Sequence, residues 1–138
     1  MGMFDAIDIS TSGVTTYRTW LDALSDNIAN INTVRPSNQP AFQEKFVVAQ
    51  AVDYSGGAGV GNGVRVESIA HGSAQGRLVY DPTNPLADKG GYVRQPDIDL
   101  GSQMTQLIMA QRGYQANLAV VDRAHEAYTA ALTLGKNS

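Results

Sequence analysis

The 138-residue chain contains no cysteine, carries no excess of positive charge and has no long apolar run. Without cysteine it can form no disulfide, no thiolate metal site and no cysteine nucleophile. The formal net charge of −3 leaves no basic footprint, so nucleic acid is a poor candidate partner. No segment approaches the length of a membrane-spanning helix, so we expect no membrane insertion. The length predicts a single domain.

The N-terminus lacks the features of a cleaved secretory signal. No basic residues precede an apolar run, and Asp5 and Asp8 lie where the apolar region of such a signal would be. Ala6 occupies the position at which a myristoylation motif needs Ser or Thr. If the protein leaves the cytoplasm, we expect a route that reads no cleaved Sec signal.

Patterns for catalysis or metal binding are also missing. The glycine-rich run at 55–63 matches neither nucleotide-binding fingerprint and is predicted to be a flexible loop. Neither histidine belongs to a metal-ligand spacing; His71 is predicted to be a solvated turn residue and His125 a partly buried packing residue. We interpret Asp97 and Asp99 as helix-capping carboxylates. The sequence therefore predicts no enzyme, no cofactor and no metal site.

What the chain does have is a mostly apolar stripe of heptad-spaced residues at each end. The heptad period favours helices wound around partner helices. Straight helices over 4–31 and 100–134 would be about 42 Å and about 52 Å long, and the chain between them is too short to cover both. The stripes therefore predict contacts between subunits, with Trp20 marking either a second contact surface or packing against the middle region. The N-terminal stripe comprises Ile7, Val14, Tyr17, Leu21, Leu24, Ile28 and Ile31; the C-terminal stripe comprises Leu100, Met104, Leu107, Tyr114, Leu118, Val121, Tyr128 and Leu132, with Gln111 and His125 as polar members.

The pattern divides the chain into an N-terminal helix at 1–33, a small β- and loop-rich region at 34–97 and a C-terminal helix at 98–138. The predicted fold is mainly α, with the long terminal helices forming a coiled-coil-like pair that assembles into a helical rod. The first helix begins either at a Ser10–Ser12 cap or near Phe4 with Gly13 inside it. A strand or an extended arm is predicted within 42–52, and strands are predicted after a turn at Asn62-Gly63 and at 77–80.

Three local sequences resemble signatures of the flagellar rod and hook protein family, and together they cover most of the chain. The segment 25–33 is similar to the family's N-terminal S-x-N-[IL]-A-N-x-x-T motif, and 112–117 to its C-terminal R-x-Y-Q-A-N motif, with Gly113 where the family often has Ser. The block 81–99 looks like the proximal-rod members. The residues that carry the resemblance are Asn27, Ala29, Asn30 and Thr33, then Pro82, Pro85, Gly91 and Tyr92, and finally Gln115, Ala116 and Asn117.

The resemblance implies a structural, torque-transmitting subunit of the proximal rod in the flagellar basal body, within the cell envelope. It also implies export by the flagellar type III apparatus and contacts with the rod subunits FlgB, FlgF and FlgG and with FliE. Phe42 and Phe46 resemble an export-gate pattern, although a pair in a strand core explains them more simply. The alternative hypothesis is a self-contained cytoplasmic helical-hairpin adaptor, in which Ile28 and Tyr114 would pack together. Gln111 is interpreted either as a buried register marker or as a wet edge residue, and Asn30 as either a contact or a C-cap.

Overall fold

The computed structural model describes residues 2–53 and 61–136. Two long helices enclose five short strands along the chain, and the helices dominate the structure. This confirms the predicted mainly α fold with a small β-rich middle. The elements are α1 (Met3–Ala29), β1 (Arg35–Pro36), β2 (Lys45–Ala51), β3 (Val64–His71), β4 (Arg77–Tyr80), β5 (Tyr92–Gln95) and α2 (Leu100–Lys136).

Helix α1 follows the longer of the two predicted courses and passes through Gly13. In its first turn, the Asp5 carboxylate accepts a hydrogen bond of 2.7 Å from the Gly2 N–H, where negative charge also suits the helix dipole. At the other end Asn30 is the C-cap, with φ −105° and ψ 5°, so the helix does not exit through a left-handed residue. The Asn30 amide instead bonds back to the Asp26 carbonyl at 2.9 Å. The C-cap interpretation of Asn30 is therefore confirmed.

Helix α2 begins directly after the predicted capping carboxylate. The Asp99 side chain accepts a hydrogen bond of 2.7 Å from the Ser102 N–H, which satisfies one of the free donors at the helix start. Pro96, just upstream, is buried. With 37 residues, α2 is ten residues longer than the 27-residue α1.

The two helices pack against each other as an antiparallel pair. Asn27 contacts Gln103 at one end of the pair, and the Phe4 and Tyr128 rings meet at the other, 5.5 Å apart. In this register residues 129–136 of α2 extend beyond Phe4, and all of them are exposed. The pairing within one chain is the feature that the adaptor hypothesis expected. Its specific contact is wrong, however, because the register places Ile28 and Tyr114 at different levels of the pair.

The first sheet is the antiparallel hairpin β2–β3, which packs on α1 and has a bulge at Val48/Ala49. The predicted tight turn at Asn62-Gly63 is not formed. Instead, the Val52 N–H donates to the Gly63 carbonyl and the Asn62 N–H donates to the Val52 carbonyl. Residues 54–60, where most of the predicted glycine-rich loop falls, lie outside the described residues. Phe46 is exposed on the outer face of β2, so the expected strand-core pair with Phe42 is not formed.

The second sheet has the order β1-β5-β4, and all of its pairs are antiparallel. The predicted strand at 77–80 is confirmed as β4. Strand β5 was not predicted from the sequence, since Tyr92–Gln95 lies in a stretch rich in turn residues. Val93 of β5 is completely buried and forms the small core of this sheet.

Few large side chains are buried in the described part of the chain. Its buried apolar residues larger than alanine are Leu24, Val93 and Pro96, beside Ala23, Ala41 and Ala110. A compact protein of 14.7 kDa would expose about 6,900 Å², whereas this chain exposes 9107 Å². Neither described helix is apolar enough over a sufficient length to cross a membrane. The fold is therefore open and leaves much apolar surface uncovered.

Candidate assembly surface

The seam between α1 and α2 is made largely of small and polar residues. Gly13 of α1 lies against the Asn117 amide, where a Cβ would come within 2.6 Å of Asn117 Oδ1. Gly113 of α2 lies against the Tyr17 ring, and a Cβ there would overlap the ring atoms. Gly113, where the family often has Ser, thus provides by its absent side chain the space that Tyr17 occupies. The two helix backbones therefore approach closely at the seam, and few large side chains interdigitate between them.

A buried polar cluster joins the ends of both helices to the hairpin. Asn27 and Gln103 are each 1 % exposed, and the Asn27 amide donates to Gln103 Oε1 at 3.0 Å. Asn27 also donates to the Lys45 carbonyl at 3.0 Å and accepts from the Lys45 N–H at 2.8 Å. Gln103 in turn donates to Glu44 Oε1 at 2.5 Å. Because each amide is satisfied, the cluster fixes the register of three segments without stranding a buried polar group.

An ion pair lies at the surface edge of this polar cluster. Lys45 Nζ is 2.5 Å from Asp26 Oδ2, with the two side chains 32 % and 54 % exposed. At that exposure water screens the pair, so it contributes little to stability. The buried amides of Asn27 and Gln103, and not this ion pair, fix how the helix ends and the hairpin meet.

Part of the N-terminal stripe lies on the side of α1 that faces away from the hairpin, whereas Tyr17 lies beside the hairpin strands. Ser12 marks the hairpin side, since its hydroxyl accepts a hydrogen bond of 3.0 Å from the Val64 N–H. Residues two positions apart on a helix point about 200° from each other, so Val14 points to the opposite side. Leu21 and Ile28 follow Val14 at seven-residue steps and share that side. All three are half-buried.

Part of the C-terminal stripe lies on the same side of the helix pair. Tyr17 reaches the hairpin side of α2 at Gly113, so Gln111, two residues earlier, points away from the hairpin. Met104 and Leu118, seven residues to either side of Gln111, are 44 % and 38 % exposed. The open apolar surface formed by both helices is named here the stripe face; it comprises Val14, Leu21, Ile28, Met104 and Leu118.

The remaining stripe residues divide between the seam and the solvent. Leu24 is buried at 2 % exposure, whereas Leu100 and Leu132 are about half exposed. His125 is exposed, so the prediction of a partly buried packing histidine is wrong for the single chain, and Gln111 is also exposed, as its wet-edge interpretation expected. The half-buried members are Ile7, Tyr17, Ile31, Leu107, Tyr114 and Val121, and Tyr128 lies at the exposed end of the seam.

The residues of the helical family motifs have different environments. Asn27 is in the buried polar cluster, and Thr33 donates to the Asn30 side chain at 3.2 Å. Asn117 donates to the Gly113 carbonyl of its own helix at 2.9 Å. The exposed members are Ala29, Gln115 and Ala116.

The middle motif forms the turn between β4 and β5. Asp88 holds it together: one carboxylate oxygen accepts from the Ser37 hydroxyl at 2.6 Å and the other from the N–H groups of Gly90 and Tyr92. These bonds, the Ser37 bond above all, lower the pKa of Asp88 below its ordinary value of 3.8. Gly91 is buried. The exposed members of the motif are Pro82, Pro85 and Tyr92.

Three contributors to this arrangement were missed by the sequence reasoning. Gln103, Ser12 and Gly13 all lie outside the predicted stripes, yet each makes a contact that positions an element. Gln103 and Asn117 belong to one heptad-spaced row, which could have indicated the side of α2 that faces α1. The members of this row are too polar or too small to form an apolar stripe. Within residues 2–53 and 61–136, His, Asp and Glu side chains form no group suited to hold a metal ion.

Comparison with known proteins identifies both helices. The family described as "Flagella basal body rod protein" matches residues 7–36, and the family described as "Flagellar basal body rod FlgEFG protein C-terminal" matches residues 89–134. Both terminal helices therefore match families of flagellar rod proteins.

Full-length relatives narrow the class. The flagellar basal-body rod protein FlgC of Salmonella typhimurium is 37 % identical, over 99 % of this chain and 100 % of the relative. The FlgC proteins of Borreliella burgdorferi and Bacillus subtilis are 34 % and 31 % identical, each over at least 97 % of both chains. The chain belongs to the FlgC family of flagellar basal-body rod proteins.

Proposed function

We propose that this chain is a structural subunit of the flagellar basal-body rod, which transmits torque through helix contacts with its neighbours and catalyses no reaction. The observation that carries the proposal is the stripe face. It is a mostly apolar surface on both helices, with Gln111 between Met104 and Leu118; these two apolar side chains are exposed, and the members from α1 are half-buried. Contiguous exposed apolar surface of this kind marks an interaction site in a soluble protein.

The excess surface has the scale of a subunit interface. The chain exposes about 2,200 Å² more than a compact protein of its mass, 9107 Å² against the expected value. A standard protein interface takes about 800 Å² from each partner. The uncovered surface is therefore sufficient for more than one neighbour, as a subunit inside a rod requires.

The proposed neighbours are the rod subunits FlgB, FlgF and FlgG and the basal-body protein FliE. We infer delivery by the flagellar type III export apparatus, and a location in the basal body within the cell envelope. Membership of a family of rod proteins supports these assignments. An open, weakly buried fold also suits a chain that must pass unfolded through an export channel before it assembles.

The test places a charge in the stripe face. Leu118→Asp adds a carboxylate at a position that is 38 % exposed in the free chain, so folding of the subunit should survive. In the rod the same charge would be buried without a partner, which is strongly unfavourable. We expect loss of the subunit from purified basal bodies and loss of swimming. Leu21→Asp, in α1, should behave in the same way.

Ala119→Asp is the matched control, since it puts the same charge at the next residue, about 100° around the helix. It should leave the chain in the basal bodies and the cells motile. Normal swimming with Leu118→Asp and Leu21→Asp would contradict the assignment of the stripe face. Absence of the wild-type chain from purified basal bodies would contradict the proposed function itself.

A further inference from the structure

The chain enters β3 through an Asn-Gly pair whose backbone is only partly bonded. Asn62 and Gly63 both lie opposite Val52: the Asn62 N–H donates to the Val52 carbonyl at 2.8 Å, and the Val52 N–H donates to the Gly63 carbonyl at 2.9 Å. Two residues opposite one is the arrangement of a β-bulge, which disrupts the ladder locally. The Gly63 N–H makes no hydrogen bond to any residue of 2–53 or 61–136.

Gly63 is required at this position by its contact with α1. Its φ is +113°, in the region that favours glycine, and a Cβ there would be 2.4 Å from Ser12 Oγ. The same hydroxyl accepts the hydrogen bond of 3.0 Å from the Val64 N–H. A side chain at position 63 would therefore push the end of the hairpin off α1. The residue after Asn62 must be the one that hinders its own backbone nitrogen least.

The side chain of Asn62 is open to solvent. Asn62 is exposed, and its amide forms no hydrogen bond with the residues that the structure describes. It lines a cavity of about 250 Å³ together with Asp5, Asp8 and Ile9 of α1. Water therefore reaches the amide carbon, and no hydrogen bond holds the amide away from the Gly63 nitrogen.

Three other asparagines are held by hydrogen bonds of their side-chain amides. The Asn27 amide is buried and donates twice, to Gln103 and to a backbone carbonyl. The amides of Asn30 and Asn117 each donate to a carbonyl of their own helix at 2.9 Å. These bonds fix the amide carbon in place, so none of the three amides is free to react.

The next three asparagines of the described chain have no free nitrogen beside them. Asn84 is followed by Pro85, which has no N–H. The N–H groups of the residues after Asn32 and Asn38 each donate to a backbone carbonyl at 3.0 Å. Among the asparagines of 2–53 and 61–136, Asn62 alone combines a free side-chain amide with a free backbone nitrogen next to it.

We propose that Asn62 is a site of spontaneous deamidation. The Gly63 backbone nitrogen attacks the amide carbon of Asn62, its proton passes to the departing amide nitrogen, and ammonia leaves as a succinimide ring closes. Water then opens the ring at either carbonyl carbon. One opening gives aspartate, and the other gives isoaspartate, in which the main chain runs through the side-chain carbons. Water is the only other reactant.

Either product weakens the attachment of the hairpin to α1. A carboxylate at position 62 shares its cavity with the carboxylates of Asp5 and Asp8, and like charges repel. Isoaspartate also lengthens the main chain by one carbon, so the bonds to Val52 and the Val64 bond to Ser12 no longer fit one register. The contact that requires glycine at position 63 thus also permits the reaction that loosens it.

The test ages the purified full chain in warm, mildly alkaline buffer and follows it by isoelectric focusing and peptide mapping. Deamidation adds one negative charge to the formal net charge of −3. We expect a more acidic species to accumulate, with isoaspartate and aspartate at position 62 before any other asparagine of residues 2–136 changes. Asn62→Ser should abolish both products. Asn84→Ser is the matched control and should give them at the wild-type rate.

Hydrogen exchange measures the loosening of the hairpin. Asn62→Asp carries the new charge without the extra main-chain carbon. The Val52 and Val64 amides should exchange faster in Asn62→Asp than in wild type, and faster still in the isoaspartate form. The Lys45 amide, which donates to Asn27 at the other end of the hairpin, should not change. Equal exchange of Val52 and Val64 in all three forms would overturn the loosening.

Three results would overturn the site itself. The first is an unchanged Asn62 in a chain aged until a peptide with the sequence of 61–66 has converted. The second is earlier deamidation at another asparagine of residues 2–136, and the third is aspartate at position 62 without isoaspartate, since direct hydrolysis gives aspartate alone. All of these measurements use the isolated chain, so their failure leaves the proposed function standing.

Discussion

At the scale of single residues, Gly113 determines how closely the two helices approach. A methyl group at this position would overlap three ring atoms of Tyr17, and the Trp20 ring also lies near the Tyr17 ring, at a centroid distance of 6.1 Å. Overpacking of this kind costs about 1–3 kcal/mol, against a gain of about 1 kcal/mol in helix propensity. We therefore expect Gly113→Ala to destabilise the helix pair by up to about 2 kcal/mol.

The measurement is unfolding followed by circular dichroism at 222 nm, in a stabilising osmolyte so that the transition is complete. Gly101→Ala is the control, because its Cβ would meet nothing closer than an ordinary contact of 3.5 Å with Asp99. Gly101→Ala should leave the midpoint unchanged or raise it. A Gly113→Ala variant as stable as wild type would show that the Tyr17 ring can move and that the seam is not set there.

The residues that set the seam also show where sequence reasoning ends. Heptad spacing predicted paired terminal helices, because Leu24 and its neighbours repeat at the right interval. It did not predict that Gln103 and Asn117 face α1 while Met104 and Leu118 face outward. Hydrophobicity alone would predict the opposite, with Met104 and Leu118 facing α1 and the polar Gln103 and Asn117 facing outward. The contact between Asn27 and Gln103 joins residues 76 positions apart, and no local pattern carries that information.

At the scale of elements, the Asp88 carboxylate links the turn between β4 and β5 to Ser37 and to two of the turn's own N–H groups. Since the folded-state pKa of Asp88 is lowered below 3.8, its contribution to stability is fully present above that pH and is lost as the pH falls through the folded value. An NMR titration of the Asp88 carboxyl carbon should therefore give a midpoint below 3.8. Ser37→Ala removes the largest cause of the shift and should move the midpoint upward.

Thr83→Ala is the control for this titration, because the Thr83 hydroxyl bonds to Asp81 and not to Asp88. The midpoint of Asp88 should be the same in Thr83→Ala and in wild type. An Asp88 midpoint unaffected by Ser37→Ala would mean that the backbone N–H groups alone hold the carboxylate.

The short elements of the middle region were also the hardest to predict. The strand at 77–80 was correct because Leu78, Val79 and Tyr80 are good strand formers followed by an Asp-Pro stop. Strands β1 and β5 are two and four residues long and exist through pairing with each other and with β4. Their sequences contain proline and arginine, so only the tertiary pairing shows them as strands.

At the scale of the whole molecule, few apolar side chains are buried for helices as long as α1 and α2. The seam buries glycine, alanine and amides in place of large apolar side chains, and the last turns of α2 extend beyond α1. Helices in proteins draw most of their stability from packing of an apolar face, and here much of that face is open. We therefore expect the isolated chain to be only partly helical by circular dichroism and to melt over a broad range of temperature.

Assembly should supply the missing stabilisation, because neighbours that bind only the folded chain shift its folding equilibrium. Hydrogen exchange is the measurement: amides in 129–136 should exchange rapidly in the free chain and become protected in purified basal bodies. The hairpin and the polar cluster around Asn27 should change less, since their bonds are made within the chain. A free chain that is fully helical, melts sharply and protects 129–136 would mean that the helices need no neighbours, and the role of the stripe face in holding the rod together would have to be abandoned.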